Sequence, residues 1–231
     1  DGSSSKLVRR IAATGPLLSG HAACVAGDGE VYMFGGTHWK EKFNGLWRFD
    51  FEAGGWEAVE VRAGKPPPVR CFHGMCACRV DKDDLLVVFG GLGAENKRFN
   101  DTWTFNVRTK TWSELVTTGA GPSVRSHMAM TVYGGNRVVV FGGCNPHPLD
   151  DLYILQLGDS SGMEATWIRP ISQGQQPSGR LAGRSVTWRH SMILFGGYDG
   201  KNRYNDVYAL DFRNMQWSKL LCVGNFPPKQ Y

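Results

Sequence analysis

The 231-residue sequence predicts an all-β fold of the β-propeller type, in which four-stranded sheets, or blades, repeat around a channel. Three observations support this prediction. A short apolar run closed by a glycine pair occurs four times, ending at Gly36, Gly91, Gly143 and Gly197. An aromatic segment with period-2 alternation follows each run, and a tryptophan follows each aromatic segment. No part of the repeats has the periodicity of a helix.

Each repeat contains four predicted strands in the same order. The first covers residues 21–26, 73–78, 127–132 and 183–188 in the successive repeats. The second is the apolar run, which ends at the glycine pair because glycine tolerates the positive φ of a tight turn. The third lies in residues 43–50, 99–106, 149–156 and 204–211. The fourth contains one tryptophan that we expect to be buried, namely Trp56, Trp112, Trp167 or Trp217.

The glycine pair, the aromatic segment and the tryptophan together resemble the Kelch repeat, and the resemblance covers nearly the whole chain in four copies. It implies a Kelch-type β-propeller with four complete blades and one extra N-terminal strand, part of a larger ring of six or seven blades. The blades are predicted at residues 16–66, 67–121, 122–176 and 177–226. Residues 1–15 are expected to hold the fourth strand of a preceding blade, and residues 227–231 begin the next connection.

The segment CFHGMCAC, residues 71–78, concentrates residue types that bind zinc and other soft metals. When the first strands are aligned on their leading His or Gly, the residues that match the two cysteines are mostly apolar. Cys24, Met130 and Val186 match Cys76, and Ala26, Val132 and Trp188 match Cys78. Strand alternation also places Cys71 and His73 on the other face. We therefore predict no metal and no cofactor, with Cys76 and Cys78 as small buried hydrophobic residues. Metal or redox chemistry is the alternative. The recurring His21, His73 and His127 are interpreted as structural.

Composition and charge narrow the possible partners. The formal net charge of +5 permits an acidic partner but is too small and too dispersed to require nucleic acid. No apolar run approaches the roughly 18 residues of a membrane helix. The first residues lack the apolar stretch of a secretory signal, so we expect an intracellular protein, cytoplasmic or alternatively nuclear, with reduced cysteines.

Strand order assigns the connections to the two ends of each blade. The loops between strands 2 and 3 and the connections from strand 4 to the next strand 1 share one end, which we call the loop face. Cations outnumber acidic residues there: Lys40, Lys42, Lys65, Arg70, Lys97, Arg98, Arg125, Arg180, Lys201, Arg203 and Lys229. The opposite face is near neutral. The loop face also carries side chains suited to recognition in loops of unequal length: His38, Trp39, Asn145, His147 and Tyr198.

Arginines begin successive first strands, which border the predicted channel. In Kelch binding domains, arginines in this region often hold carboxylates of a peptide ligand. The resemblance therefore implies a binding role for Arg70, Arg125 and Arg180, which we group with Arg203. The alternative is that the three recurring arginines bond loop carbonyls within each blade. The Asn and Asp residues before each third strand, such as Asn100 and Asp101, are interpreted as turn residues.

We predict a non-enzymatic protein-interaction scaffold. Its ligand would be an acidic, carboxylate-terminal or phosphorylated segment on the loop face, because guanidinium groups donate paired hydrogen bonds to such groups. The resemblance leaves two alternatives, a propeller enzyme that acts on carbohydrate as an oxidase or mutarotase, and a structural subunit of a large assembly. Neither a membrane nor nucleic acid is an expected partner. Further blades or another chain are expected at the open blade edges.

Overall fold

The computed structural model describes residues 15–27, 29–158, 164–224 and 227. These residues form four sheets of four or five strands, which we call blades 1 to 4, a separate two-stranded sheet and one short 3-10 turn at Ala94–Asn96. This confirms the predicted all-β fold. None of the described residues belongs to a helix that is long and apolar enough to cross a membrane. The predicted N-terminal strand, residues 6–14, lies outside the described part of the chain.

Blades 1 and 2 each contain four strands joined in sequence. Blade 1 begins with β1 (Ala22–Ala26) and β2 (Glu30–Phe34), continues through a small hairpin of β3 (Thr37–His38) and β4 (Glu41–Lys42), and ends with β5 (Leu46–Asp50) and β6 (Gly55–Ala58). Blade 2 contains β7 (Gly74–Val80), β8 (Asp83–Phe89), β9 (Thr102–Asn106) and β10 (Thr111–Glu114).

Blades 3 and 4 each gain a fifth, outer strand from the connection that precedes them. Blade 3 contains β11 (Val116–Thr118), β12 (Ala129–Tyr133), β13 (Arg137–Phe141), β14 (Leu152–Leu157) and β15 (Glu164–Ile168). Blade 4 contains β16 (Gln173–Gly174), β17 (Arg184–Trp188), β18 (Ser191–Tyr198), β19 (Arg203–Asp211) and β20 (Gln216–Leu220). Strands β11 and β16 pair in parallel with β15 and β20, respectively. Each connection therefore runs along the outer edge of the blade it leads into, which the sequence did not predict.

Strand pairing corrects the predicted alignment of the third repeat. Gly74 lies opposite Phe89 in blade 2, and Ala129 lies opposite Phe141 in blade 3. Because Phe89 and Phe141 both precede a glycine pair, Gly74 corresponds to Ala129. The alignment of His127 with His73 is therefore wrong by one residue. The residues that correspond to Cys76, Cys78 and Phe72 in blade 3 are Thr131, Tyr133 and His127.

The hydrophobic core lies between neighbouring blades. In blades 1 to 3, the phenylalanine before the glycine pair packs against the fourth-strand tryptophan of the next blade, with ring centroids 5.1, 5.0 and 5.1 Å apart at Phe34–Trp112, Phe89–Trp167 and Phe141–Trp217. These three tryptophans are buried, as predicted. Trp56 is only half-buried, so the prediction for it is wrong. No blade among the described residues precedes blade 1 and covers it.

Cys76 and Cys78 lie in the buried cluster between blades 2 and 3, together with Val87, Phe89 and Trp167. This location agrees with their interpretation as buried hydrophobic residues. Burial raises the pKa of the Cys24 thiol to about 12, and a hydrogen bond with Cys78 together with burial raises that of Cys76. These thiols therefore stay protonated at neutral pH and are poor nucleophiles.

Candidate functional site

A row of backbone hydrogen bonds, which we call the collar, links the four blades where their innermost strands begin at the loop face. It consists of Gly20, Phe72, His127 and Ala182, which occupy equivalent positions in the four blades and all have positive φ. The amides of Phe72, His127 and Ala182 each donate to the carbonyl of the preceding member, over 2.7, 2.8 and 2.8 Å. The Phe72 ring also stacks on His127 with centroids 4.1 Å apart. The collar thus holds the beginnings of the four innermost strands together.

Beside this collar, the first residues of the four innermost strands line one cavity of about 320 Å³. Its lining combines apolar and polar groups: His21, His73, Met75, Met130, Arg184 and Ser185. The lining presents more polar than apolar surface, and convergent polar groups in a concave site can fix the orientation of a ligand. The sequence does not mark Arg184 or Ser185 as candidates, because neither residue type recurs at this position in the other blades.

Two polar side chains at this cavity are buried, those of His73 and Ser185. The Ser185 hydroxyl forms no hydrogen bond within the described part of the chain, whereas the His73 ring lies edge-on to Phe34, with centroids 5.4 Å apart, and interacts with the Phe34 backbone. Burial, followed by the charges of Arg70 and His21, lowers the pKa of His73 to about 3. The ring is therefore neutral at physiological pH, with one nitrogen able to donate and the other able to accept.

A positively charged side chain lies beside the cavity. The side chain of Arg184 is exposed and belongs to no ion pair of the described residues. Burial, followed by the charges of Arg184 and Arg98, lowers the pKa of His127 to about 4. Burial of the ring is the main cause of this lowered pKa, and the Arg184 and Arg98 charges add to it because cations disfavour protonation of a nearby imidazole.

The recurring arginines lie inside the blades. Arg70 is fully buried, and its guanidinium donates to both carboxylate oxygens of Asp101 over 2.8 and 2.7 Å and to the Gly90 carbonyl over 2.9 Å. Arg125 forms the same contacts with Asp151 and Gly142, and Arg180 with Asp206 and Gly196. This geometry favours the structural interpretation, in which the arginines bond loop groups of their own blade.

The arginine backbone also connects neighbouring blades. The second glycine of each pair donates its amide to the arginine carbonyl of the next blade, over 2.8 Å at Gly36–Arg70, 2.8 Å at Gly91–Arg125 and 2.9 Å at Gly143–Arg180. Asp101, Asp151 and Asp206 therefore serve as ion-pair partners rather than simple turn residues. Asn100 also reaches beyond its own turn, because its side-chain amide donates to the Pro122 carbonyl of the following connection.

Trp39 is the most prominent side chain of the loop face. It lies at the tip of the β3–β4 hairpin with a positive φ, and its side chain is 91% exposed. The Thr37 hydroxyl donates to the Glu41 carbonyl over 2.7 Å and thereby stabilises the hairpin. An exposed tryptophan on an ordered hairpin can bury a large area against a partner with little loss of conformational entropy.

The other predicted loop residues lie around the same face. His38 and His147 are exposed, and Asn145 is half-buried. The backbone amide of Asn145 donates to the His147 carbonyl. Tyr198 donates its hydroxyl to the Gly200 carbonyl, and the Arg203 guanidinium lies 5.6 Å from its ring centroid. The structure therefore places these six loop residues, Trp39 included, at one end of the blades but outside the lining of the cavity.

Ion pairing reduces the charge excess of the loop face without removing it. Arg70, Arg125 and Arg180 are neutralised by their aspartates, and Lys229 lies outside the described residues. Further cations of this face are Lys40, Lys42, Lys65, Lys97, Arg98, Arg184 and Lys201. The remaining acidic residues are Glu41, Glu95, Asp150 and Asp199. Most of these cations are exposed to solvent, whereas Lys42 and Arg98 are half-buried.

Metal binding has no comparable support in the geometry. No group of three His, Cys, Asp or Glu side chains in residues 15–27, 29–158 and 164–224 is arranged to hold a metal ion. The cysteines of the CFHGMCAC segment point to different places. The Cys71 thiol lies 3.6 Å from the Leu92 carbonyl oxygen, whereas Cys76 and Cys78 face blade 3.

Comparison with known proteins gives one family match over most of the chain. The domain family described as the KLHDC2/KLHL20/DRC7 Kelch-repeats domain matches residues 20–231. The chain is also similar to acyl-CoA-binding domain-containing protein 4 of Arabidopsis thaliana, with 31% identity over 213 residues, 91% of this chain and 30% of that protein.

Two further relatives differ greatly in size. The dynein alpha chain of the flagellar outer arm of Chlamydomonas reinhardtii is 30% identical over 215 residues, which cover 86% of this chain and 5% of that protein. Kelch domain-containing protein 2 of Bos taurus is 26% identical over 204 residues, 79% of this chain and 49% of that protein. The chain therefore spans half or less of the length of these relatives.

Proposed function

The chain belongs to the Kelch-repeat family, and on that premise we propose that it binds an anionic segment of a protein partner at the channel mouth of the loop face. Kelch-repeat domains bind protein partners, and the family is typically non-enzymatic. The anionic ligand would be an acidic side chain, a terminal carboxylate or a phosphorylated residue. The cavity beside the collar is the observation that carries this proposal.

The cavity offers groups that match such a ligand. Arg184 supplies a planar, permanently charged donor at the rim. The Ser185 hydroxyl supplies a hydrogen-bonding atom that is unused by the described residues. A ligand that satisfies this atom gains a hydrogen bond and removes the cost of leaving it unpaired. The methionine side chains of Met75 and Met130 can adapt to the apolar part of a bound segment.

The surrounding face fits a larger contact. Trp39 supplies an aromatic anchor, and the exposed lysines increase the rate of encounter with an acidic surface. Because these cations are exposed to solvent, we expect the affinity to fall as ionic strength rises. The buried arginines contribute indirectly, by fixing the loops that carry the contact residues.

Affinity capture with the intact chain, followed by titration of the captured partner, tests this function. We expect Arg184→Ala to weaken binding by about 1.5–3 kcal/mol, roughly 10- to 150-fold in Kd, because it removes hydrogen bonds to a charged group. Lys82→Ala, an exposed cation on the opposite face, is the control and should bind as the wild type does. Phosphatase treatment, amidation of the partner's C-terminus and replacement of its acidic residues distinguish the three anionic groups. Equal affinity of wild type and Arg184→Ala at low salt would refute the proposal.

A further inference from the structure

The junction between blades 1 and 2 contains a second cavity, of about 290 Å³, which we call the junction cavity. Tyr32, Arg48 and Glu57 of blade 1 line one side, and Phe105 and Val107 of blade 2 line the other. None of these residues lines the cavity beside the collar. The volume is near the lower end of the range of small-molecule sites. The junction cavity is therefore a candidate binding site that is separate from the loop face.

The blade 1 side of the junction cavity departs from the repeat pattern. Tyr32, Arg48 and Glu57 lie directly opposite one another on β2, β5 and β6, and we call them the polar row. The corresponding residues of the other blades carry no charge: Val87, Thr104 and Ser113 in blade 2, Val139, Ile154 and Ile168 in blade 3, and Ile193, Ala209 and Ser218 in blade 4. Ionised groups at this place in a blade are therefore specific to the junction of blades 1 and 2.

Hydrogen bonds hold the polar row in one arrangement. The Arg48 guanidinium donates through Nε to Glu57 over 2.7 Å and through Nη1 to Glu30 over 2.6 Å. The Tyr32 hydroxyl donates to the other Glu30 oxygen over 2.8 Å. Burial and this hydrogen bond raise the pKa of Tyr32, so the hydroxyl remains a donor at neutral pH. Arg48 is thus shared between two carboxylates, and its charge is compensated without a ligand.

Acidic groups outnumber cations at the junction cavity. Both hydrogen bonds from Arg48 to Glu57 end at Oε1, which leaves Oε2 without a hydrogen bond among the described residues. Glu60, on the connection into blade 2, and Lys110, in blade 2, belong to no ion pair of the described residues. With Glu30 included, three carboxylates face two cations. One negative charge is therefore left uncompensated.

Apolar and aromatic groups complete the lining. Phe105 is buried, and Val59 and Val107 are half-buried. A stem of methylene or aromatic carbons can remove this surface from water, while the carboxylates favour a positive head group at its end. Lysine and arginine side chains combine these two properties, and so do small organic amines.

We propose that the junction cavity binds an organic cation, a protonated amine or guanidinium on an apolar stem. The head group contacts Glu57 Oε2 and the Glu60 carboxylate, and the stem packs on Phe105. Arg48 is a positioning residue, because its hydrogen bonds fix Glu57. Lys110 repels the ligand and limits its affinity. The cation is either a free amine or the lysine or arginine side chain of a partner protein, which are two sources of one chemistry.

Titration of the intact chain with 2-phenylethylamine at low salt, followed by amide NMR spectra, tests the proposal. The neutral isostere 2-phenylethanol and the anion 3-phenylpropionate are the matched probes. We expect the amine to shift the signals of residues 57–60 and 105–110 and to bind at least about tenfold more tightly than either matched probe, because it adds hydrogen bonds to charged groups. The same shifts should occur in Arg184→Ala, since the junction cavity does not depend on the loop-face site.

A lysine-containing tripeptide with blocked termini distinguishes the two sources of the cation. Both sources predict shifts at the same residues. Tighter binding of the tripeptide than of the amine would assign the site to a side chain of a partner protein, and weaker binding would assign it to a free amine.

Two substitutions with opposite expected effects test the sign of the ligand charge. Glu60→Gln should weaken binding of the amine by about threefold, the scale of an exposed ionic contact. Lys110→Met should strengthen binding by about twofold, because it removes a like charge and keeps an apolar stem. Glu95→Gln, at an exposed carboxylate of the loop face, is the control and should leave Kd unchanged. Melting curves check that each variant is folded.

Three outcomes would overturn the proposal. Weaker amine binding by Lys110→Met, together with binding of 3-phenylpropionate, would show a site for anions. Equal affinity for the amine and 2-phenylethanol would show that apolar packing acts alone. Unshifted signals of residues 57–60 and 105–110 at the solubility limit of the amine would show that the junction cavity does not accept an organic cation.

Discussion

Removal of the Arg125 side chain should destabilise the fold, because its guanidinium is buried between loop groups rather than presented to a ligand. Arg125→Ala leaves the Asp151 carboxylate and the Gly142 carbonyl without their donor. Loss of one partner of a buried ion pair costs about 3–5 kcal/mol. The Asp151 side chain retains 18% exposure, so solvent offsets part of the loss and we expect about 3 kcal/mol.

Chemical denaturation followed by tryptophan fluorescence measures this loss. Lysine at residue 125 should recover little of it, since a single ammonium cannot bond both carboxylate oxygens and the Gly142 carbonyl. The double variant Arg125→Met with Asp151→Leu should be more stable than Arg125→Ala, because no unpaired buried charge remains. Arg62→Ala, at an exposed arginine, is the matched control and should change stability by less than about 0.5 kcal/mol. An Arg125→Ala protein as stable as the wild type would refute the structural role.

Three further predictions follow from the blade junctions and the buried histidine. Trp167→Ala should lower the free energy of unfolding by about 3–5 kcal/mol, and Trp56→Ala by clearly less, because only Trp167 of the two is enclosed by a preceding blade. Chemical denaturation measures both losses, and equal losses would contradict this prediction. Gly119→Ala should destabilise the fold more than Gly134→Ala does. Both glycines have positive φ, but only at residue 119 would the new Cβ lie 2.4 Å from a carbonyl oxygen, that of Trp167. Melting curves of the two variants test this difference. Burial lowers the pKa of His73 from 6.5 to about 3, so the unfolded state binds more protons than the folded state below pH 6.5. Stability should fall as pH falls, by about 2 kcal/mol at pH 5 from this group, and His73→Gln should flatten that part of the profile.

Local sequence pattern predicted those parts of the fold that depend on single residues. The glycine pairs are needed for positive φ at strand ends, and Trp112, Trp167 and Trp217 recur because each fills the junction with the preceding blade. The half-burial of Trp56 could not be read from its own repeat, because it depends on a neighbouring blade. The one-residue error in the third repeat arose from aligning on histidine. Arg70, Arg125 and Arg180 define the correct register, since each makes the same contacts.

The candidate site was less predictable, because it depends on contacts between distant residues. Arg70 binds Asp101, which lies 31 residues further along the chain, and nothing in the sequence distinguishes this buried pair from an exposed arginine at a channel mouth. The cavity is similarly non-local, since Arg184 and His73 meet there only after four strands converge. The exposed Trp39 was identified correctly as a loop residue because it follows a glycine pair and precedes a polar turn.

Hydrogen exchange of the chain with and without its captured partner tests the central claim most directly, because it shows which face the partner covers. We predict slower exchange in the β3–β4 hairpin around Trp39, in residues 145–147 and in residues 183–185 at the cavity. Exchange at the opposite end, around residues 80–83 and 134–136, should be unchanged. Protection confined to that opposite end, with the loop face unaffected, would contradict the proposed binding site.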